Sequence, residues 1–331
     1  MIQNVSRWLI SSLLLLFVIT ALTFVLASMA PGDAAKAILS SQSGSYTAQQ
    51  YQQMRHALGI DQPLPVQYWH WLDGVLHGSL GTDLFSSQPV TQELGARIGP
   101  SLSIILGTVI VSGLAGVGLG IVSALRGGVL GRLVDFVSLA GLSLPSFWLA
   151  LVLAELLAVQ VRLLPATGYA PLNDGPGPWL RSIALPVLAL SAGGVAFVAK
   201  QTRDSMSEVM SREFIVMLRA RGLSRRSVVL KHALRNAGIP VVTVLGLLFV
   251  TLLGGTVLIE DVFAIPGLGQ EAVTAAGSHD LPVIEGVAFC FTVIVIAANL
   301  LVDVSYALLN PRVRGAGRTG RFSGHREPRE S

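Results

Sequence analysis

Lys200-Gln-Thr-Arg-Asp-Ser-Met206, Leu218-Arg-Ala-Arg-Gly222-Leu-Ser-Arg-Arg226 and Lys231-His-Ala-Leu-Arg-Asn236 belong to one basic, polar stretch, residues 200–239, set between two apolar segments of membrane length. Before Gly222, Phe214, Met217 and Leu218 fall on one apolar helical face amid charge. After it, Ser224 can cap a second helix carrying Val228, Val229 and Leu230. Glycine suits the junction, because a helix C-terminus commonly needs a left-handed residue there. Two short helices joined by a sharp turn make a compact positive knob beside the membrane. Anionic lipid would need only the charge; the apolar face and the fixed break favour a shaped partner.

The flanks of that stretch set the class of the whole chain. Apolar residues make up 52% of its 331 positions and charged residues 13%, with a mean hydropathy of +0.64. A charged fraction near half the roughly 25% of soluble domains leaves too little polar surface to clothe a globule in water. A spanning helix needs about 20 apolar residues, and six segments qualify: Trp8–Ala30, Ile98–Leu125, Phe136–Val161, Ile183–Ala199, Ile239–Val262 and Val283–Leu309. The fourth is the shortest and carries Pro186. The runs are continuous rather than alternating, which argues against a β-barrel. Arg7, an apolar run and Ser28-Met29-Ala30 imitate a cleavable secretory signal. The run exceeds a signal core of roughly 7–15 residues, so it reads as an uncleaved first helix.

With the N-terminus in the cytoplasm, eighteen of the twenty-three Lys and Arg fall on the cytoplasmic side, nine of them in residues 200–235. Lys36, Arg55, Arg97, Arg162 and Arg181 fall on the other. This is the asymmetry of cytoplasmic loops, and it puts both termini inside. The expected organisation is a first transmembrane helix (1–30), an extracytoplasmic segment with short interfacial helices (31–97), a five-helix core (98–312) containing a cytoplasmic loop (200–238), and a disordered basic tail (313–331) that could touch anionic lipid.

Within 31–97, Thr47-Ala-Gln-Gln50 fits a capping box, Pro65 can open a helix closed near Gly78, and Pro89 can open one that feeds the second span. Trp69 and Trp71 would then sit at headgroup depth. Gly116-x-x-x-Gly120 is a small-residue pair that lets helix backbones approach, read as packing ahead of helix sliding.

Catalytic motifs are missing from the sequence. It has no phosphate-binding G-x-x-x-x-G-K-[ST] loop, no His-Glu-x-x-His, no serine elbow and no Cys/His cluster; Cys290 is its one cysteine. Two acids lie well inside spans. Asp303 reads first as a partner for nearby Lys or Arg, whereas Glu155 reads equally as lining an aqueous path or as protonated in the bundle.

Met217-Leu-Arg-Ala-Arg-Gly222-Leu-Ser with Lys231-His-Ala-Leu-Arg-Asn236 resembles the cytoplasmic loop of peptide-type ABC importer permeases, specifically the B-type dipeptide/oligopeptide subunit. Further matches run along the chain: Pro31-Gly-Asp33, Leu58-Gly-Ile-Asp61-Gln-Pro63, Gly78-Ser-Leu-Gly81, Leu144-Pro-Ser-Phe-Trp148, Leu164-Pro-Ala-Thr-Gly168, Glu260-Asp-Val-Phe263 with Pro266-Gly-Leu-Gly269, Asp280-Leu-Pro282 and Asn310-Pro-Arg312. The resemblance implies an all-α, six-span, type I importer permease of the MetI-like fold in the bacterial cytoplasmic (inner) membrane. It implies pairing with a second, homologous permease, two ATPase subunits that bind the ATP and Mg, and an extracytoplasmic binding protein. The chain itself would be no enzyme and would carry no cofactor or metal; nucleic acid is not among the partners.

On the same basis Met217, Leu218, Arg219, Ala220, Arg221, Gly222, Leu223, Ser224, His232, Arg235 and Asn236 would couple to the ATPases. Glu260, Phe263, Pro266, Gly267, Gly269 and Asp280 would form a gate or binding-protein contact, with a solvated turn as the plain alternative. Pro145, Phe147, Trp148 and Glu155 would lie on the translocation path. Where the family usually has Glu-Ala-Ala, this chain has Val216-Met217-Leu218. Short peptides are the default cargo; glutathione and nickel or other metal chelates are the family's alternatives. The rival from another class is an ion-coupled secondary transporter using Glu155 and Asp303, with a non-transporting scaffold as a third reading.

Overall fold

In hydrocarbon every backbone N–H and C=O must find a partner within the protein, and the described residues answer with helix along most of their length. The computed structural model describes residues 2–30, 32, 34–43, 45–126 and 128–309. Pro31, Asp33, Asn310-Pro-Arg312 and the expected tail 313–331 lie outside the described residues. In chain order the helices are α1 (Ile2–Ser28), α2 (Ala34–Ser43), α3 (Ala48–Ala57), α4 (Leu64–Leu76), α5 (Val90–Arg126), α6 (Gly128–Ser143), α7 (Ser146–Leu153), α8 (Pro176–Met210), α9 (Glu213–Ala220), α10 (Arg225–Ser227), α11 (Leu234–Gly255), α12 (Val257–Val262), α13 (Leu268–Ser278) and α14 (Leu281–Leu309). A π-helical turn, Ala154–Gln160, extends α7, and another, Val228–Ala233, joins α10 to α11.

Five helical stretches among the described residues are long and apolar enough to cross a membrane: Ser6–Ser28, Val90–Arg126, Pro176–Met210, Arg225–Gly255 and Leu281–Tyr306. The segment expected to cross as Phe136–Val161 is instead two helices. Pro145, which has no N–H to give, ends α6 at Ser143 and opens α7 with an extended backbone, φ −62° and ψ 127°. The segment expected as Ile239–Val262 also divides, at Thr256, directly after the weak helix formers Gly254 and Gly255.

The fourth segment departs most from its reading as the shortest. It runs as one helix from Pro176 to Met210, with Pro186 accommodated inside and Thr202, Ser205, Met206 and Val209 buried beyond the apolar run. Residues 200–210 are therefore helix and not loop. At 1.5 Å per residue α8 is roughly 52 Å long and α5 roughly 55 Å, so both outreach a hydrocarbon core of about 30 Å.

These two longest helices are also packed together, and small residues set their separation. A Cβ placed on Gly116 would lie 2.7 Å from Val198 Cβ, and one on Gly120 would lie 2.5 Å from Thr202 Cβ and 2.7 Å from the Ala199 carbonyl oxygen. Gly194 of α8 in turn receives Ser112 of α5. The Gly116/Gly120 pair is thus a packing device, with backbone against backbone.

Three buried clusters lie along this pair. The central one joins Ile104 and Ile105 of α5 to Leu185 and Leu190 of α8 and to Leu248, Leu252 and Leu253 of α11. One end holds Val90 and Leu94 with Leu268, Ala275, Val283 and Val287. The other holds Met206 and Val209 with Ile215, Val228, Val229 and Ala233.

Between α1 and α5, local signals act as read. Thr47 and Gln50 form a reciprocal capping box on α3, α4 starts beside Pro65, and α5 runs unbroken from Val90. α4 does not lie isolated on a surface. Tyr68 hydroxyl meets Thr20 Oγ1 of α1 at 2.8 Å and its ring stacks on Trp71, which packs toward the Val90 cluster, while Trp69 stays exposed.

Gly120→Ala should lower the thermal midpoint of the detergent-purified protein by an amount equivalent to about 1–3 kcal/mol of overpacking. Gly118→Ala, where a Cβ meets nothing within 4 Å, should leave it level or raise it. Equal effects at the two sites would contradict the packing role.

Candidate functional site

At one end of the bundle α9 and α10 form an elbow whose turn is fixed by backbone geometry. Gly222 sits at φ +81°. Its N–H donates to Arg219 O at 2.9 Å, and the Leu223 N–H donates to Leu218 O at 3.3 Å. That pair of bonds is a Schellman closure, with Gly222 as the left-handed residue. Leu223 and Leu218 both pack on the buried Met206–Val228 cluster, as such a closure favours. Ser224 Oγ then accepts from Ser227 N at 3.3 Å, restarting the helix.

The elbow is seated on the long helices. Ile215, Val228, Val229 and Ala233 are buried against α8, and Arg225 donates to Leu125 O of α5 at 2.9 Å. Phe214 and Leu218 turn inward as part of the same seat. Met217, expected with them, turns outward: it is 55% exposed beside Val216 at 60%. Arg219, Ala220, Arg221 and Gly222 continue that exposed surface. His232 is half-buried, Arg235 donates to Leu309 O, and Asn236 caps back onto His232 O at 2.7 Å. Arg235 thus ties the start of α11 to α14, and the Asn236 bond stays within its own helix.

At the opposite end Glu260 is fully buried. Its Oε1 accepts from Ser101 Oγ at 2.7 Å and its Oε2 from Gln270 N at 2.9 Å, while Ser101 Oγ accepts from Leu268 N at 2.8 Å. The carboxylate thus fills the positive N-terminus of α13, where unpaired N–H groups favour negative charge. Gly267 and Gly269 leave room for it; a Cβ on either would strike the Glu260 carboxyl. Phe263 and Ile265 are buried, and Phe263 O accepts from Gly168 N at 2.8 Å, which ties residues 164–168 to the same clasp.

Asp280 closes the other side. Its Oδ1 accepts from Val283 N at 3.1 Å at the start of α14, and its Oδ2 accepts from Leu84 N at 2.8 Å. Burial pushes this carboxyl up to about 6; the two N–H donors pull it down, and Asp83 and Glu93 add to the rise. Beside it Arg97 bridges Glu271 at 2.6 Å and Glu93 at 3.1 Å, with an Asp83 oxygen within 4.8 Å of both acids. Burial raises Glu271, against the pull of Arg97 and with Glu93 and Asp83 adding to the rise.

The structure therefore brings Glu260, Gly267 and Gly269 together and turns Glu260, Phe263 and Asp280 inward, so these side chains hold the clasp and present no surface. Pro266 and Asp261 are exposed on it. Ser101 and Arg97 were not singled out from the sequence. Arg97 could have been, since Glu93 precedes it by one turn; nothing near Ser101 announces a contact 159 residues away.

Pro145, Phe147 and Trp148 are exposed at the start of α7. Glu155 lies in the π-helical turn, exposed, with Gln160 Nε2 donating to its Oε1 at 3.2 Å. Asp303 lies in a separate groove between α1, α11 and α14, with no ion pair among the described residues. Glu155 is not among the residues that line that groove.

Residues 116–315 match the family described as "Binding-protein-dependent transport system inner membrane component", and residues 1–90 match its N-terminal counterpart. A probable peptide ABC transporter permease protein of Sinorhizobium fredii is 38% identical over 93% of this chain and 98% of its own length. A putative peptide transport system permease protein of Brucella abortus is 38% identical over 90% and 95%. The glutathione transport system permease protein GsiC of Salmonella typhimurium is 37% identical over 95% and 99%. A chain of the inward-facing MetNI methionine ABC transporter superposes with a TM-score of 0.55 at 18% identity, covering 68% of this chain and 99% of that one. That likeness shows a shared fold.

The folded value of Asp280 stands above the roughly 3.9 of an unfolded aspartate. Between about pH 4 and pH 6 the folded chain holds a proton that the unfolded chain has lost, so stability falls as pH rises through that window. Asp280→Asn should flatten this part of the thermal midpoint against pH curve. An unchanged slope would show that another group sets it.

Proposed function

This chain belongs to the family of binding-protein-dependent transport system inner membrane components, and from that premise we propose that it is one of the membrane permeases of an ATP-driven importer of short peptides. Relatives named for peptides and for glutathione support that cargo class; no feature of the structure favours metal chelates or an ion-coupled carrier.

The observation that carries the mechanism is the locked elbow seated on α8 and α5. We assign Val216, Met217, Arg219 and Arg221 as the face that docks a cytoplasmic ATPase. Its two apolar side chains fill a cleft and its two guanidiniums pair with acids around the rim. The ATPases, not this chain, bind ATP and Mg. Closure of the ATPase pair displaces the elbow, and the single unbroken α8 and the α5 tie through Arg225 carry that displacement across the membrane. A second, homologous permease completes the path, with α7 and its Pro145, Phe147, Trp148 and Glu155 facing it. Opening to one side or the other is then a population shift set by the difference in affinity of nucleotide and binding protein for the two states. The Lys and Arg asymmetry supports an elbow in the cytoplasm and a clasp outside, where the exposed Pro266 and Asp261 meet the binding protein.

Gly222→Pro tests the lever. Proline holds φ near −65° and has no N–H, whereas this position needs φ +81° and donates to Arg219 O. Uptake of a radiolabelled dipeptide by cells expressing the full transporter should fall to background, with the variant inserted in the membrane at normal levels. Normal uptake by an inserted variant would defeat the lever.

The division of labour has its own test. The chain purified alone should hydrolyse no ATP. Turnover in a preparation free of ATPase subunits would contradict it.

A further inference from the structure

The C-terminal turns of α1, the α3–α4 region and the start of α14 enclose a cavity of about 420 Å³, within the size range of small-ligand sites. Phe24 and Trp71 give its wall aromatic surface, Arg55, His70 and His279 give it nitrogen, and Glu285 gives it a carboxylate. Glu285 is fully buried, and neither of its oxygens has a hydrogen-bond partner among the described residues. The other buried acids of this end are all engaged: Glu260 with Ser101 and Gln270, Asp280 with Leu84 and Val283, Glu271 with Arg97. A buried carboxylate without a donor is expensive, and an occupant that carries donors would offset that cost.

The wall specifies what that occupant is. One carboxylate supplies too few ligands for a hard divalent cation, whereas an ammonium carries three donors and can serve both oxygens. The Trp71 ring offers a second attraction for such a cation. Arg55 is held in the same wall by donation to Ile60 O at 3.2 Å and by lying over the Tyr51 ring.

We propose that this cavity binds a primary ammonium group, which meets Glu285. The site is separate from the path and the elbow, and it stands whether or not the transport reading does. Two sources share the chemistry: a free amino acid or peptide, and the ethanolamine headgroup of a phospholipid reaching in beside the exposed Leu22, Val25 and Leu26 of α1.

The full-length chain in phosphatidylcholine nanodiscs distinguishes them. In one arm, binding of radiolabelled dialanine is measured by equilibrium dialysis; in the other, the thermal midpoint is compared with and without phosphatidylethanolamine in the disc. One arm should respond, and Glu285→Gln should weaken that response at least about tenfold, the loss of one charge-assisted contact. Asp303→Asn should leave it unchanged. On the wild-type chain, N-acetyl-dialanine or an N-acylated ethanolamine lipid should be ineffective, which keeps the test decisive if Glu285→Gln fails to fold. No response in either arm, an equal response to the acylated probes, or an unaffected Glu285→Gln would each overturn the site.

Discussion

The contact between the α5 and α8 backbones is the constraint on which the remaining elements rest. Lipid offers little reason for apolar helices to associate, so the pair relies on close fit, and glycine at 116, 120 and 194 supplies it. Each end of the molecule is then fastened to that pair. Ser101 of α5 holds the Glu260 clasp, and the Leu125 carbonyl of α5 holds Arg225 of the elbow. The two anchor points are 24 residues apart on one helix, or roughly 36 Å. A single rod therefore touches both functional ends.

The ends solve one problem in opposite ways. A helix terminus leaves orphan backbone groups. At the elbow they are closed by the backbone itself, which frees the side chains of Val216, Met217, Arg219 and Arg221 to face outward. At the clasp they are closed by a buried side chain, so Glu260, Ser101 and Asp280 are consumed internally and the exposed surface falls to neighbours. The same kind of motif residue is thus a contact at one end and a scaffold at the other.

Much of this was legible in the sequence where the cause is local. The capping box at Thr47, the starts at Pro65 and Pro89, the Ser224 cap and the left-handed Gly222 depend on a few adjacent residues and read correctly. Span limits failed where tertiary contacts override composition. Hydropathy stops the fourth span at Ala199, but Thr202, Ser205 and Met206 find buried places against α5 and the elbow, and the helix continues to Met210. Pro145 was read as part of a continuous apolar run although its missing N–H already announced the break. The inward turn of Glu260 and Asp280 was out of reach, because their partners lie far away in the chain: Ser101, Leu84. In the sequence Glu285 is one of five acids between Glu260 and Glu285 with no Lys or Arg among them, which reads as an external face for a binding protein or a gate; its full burial in the cavity wall sets it apart.

Gly222 has one more consequence. A Cβ there would meet nothing within 4 Å, so the elbow demands no small residue, only a backbone of the wrong hand for an L-amino acid, which is disfavoured by about 1–2 kcal/mol. What this position selects is stereochemistry. A mirror-image alanine introduced by chemical ligation would satisfy it as well as glycine does, and would stiffen the joint by denying it the conformations that glycine alone can visit.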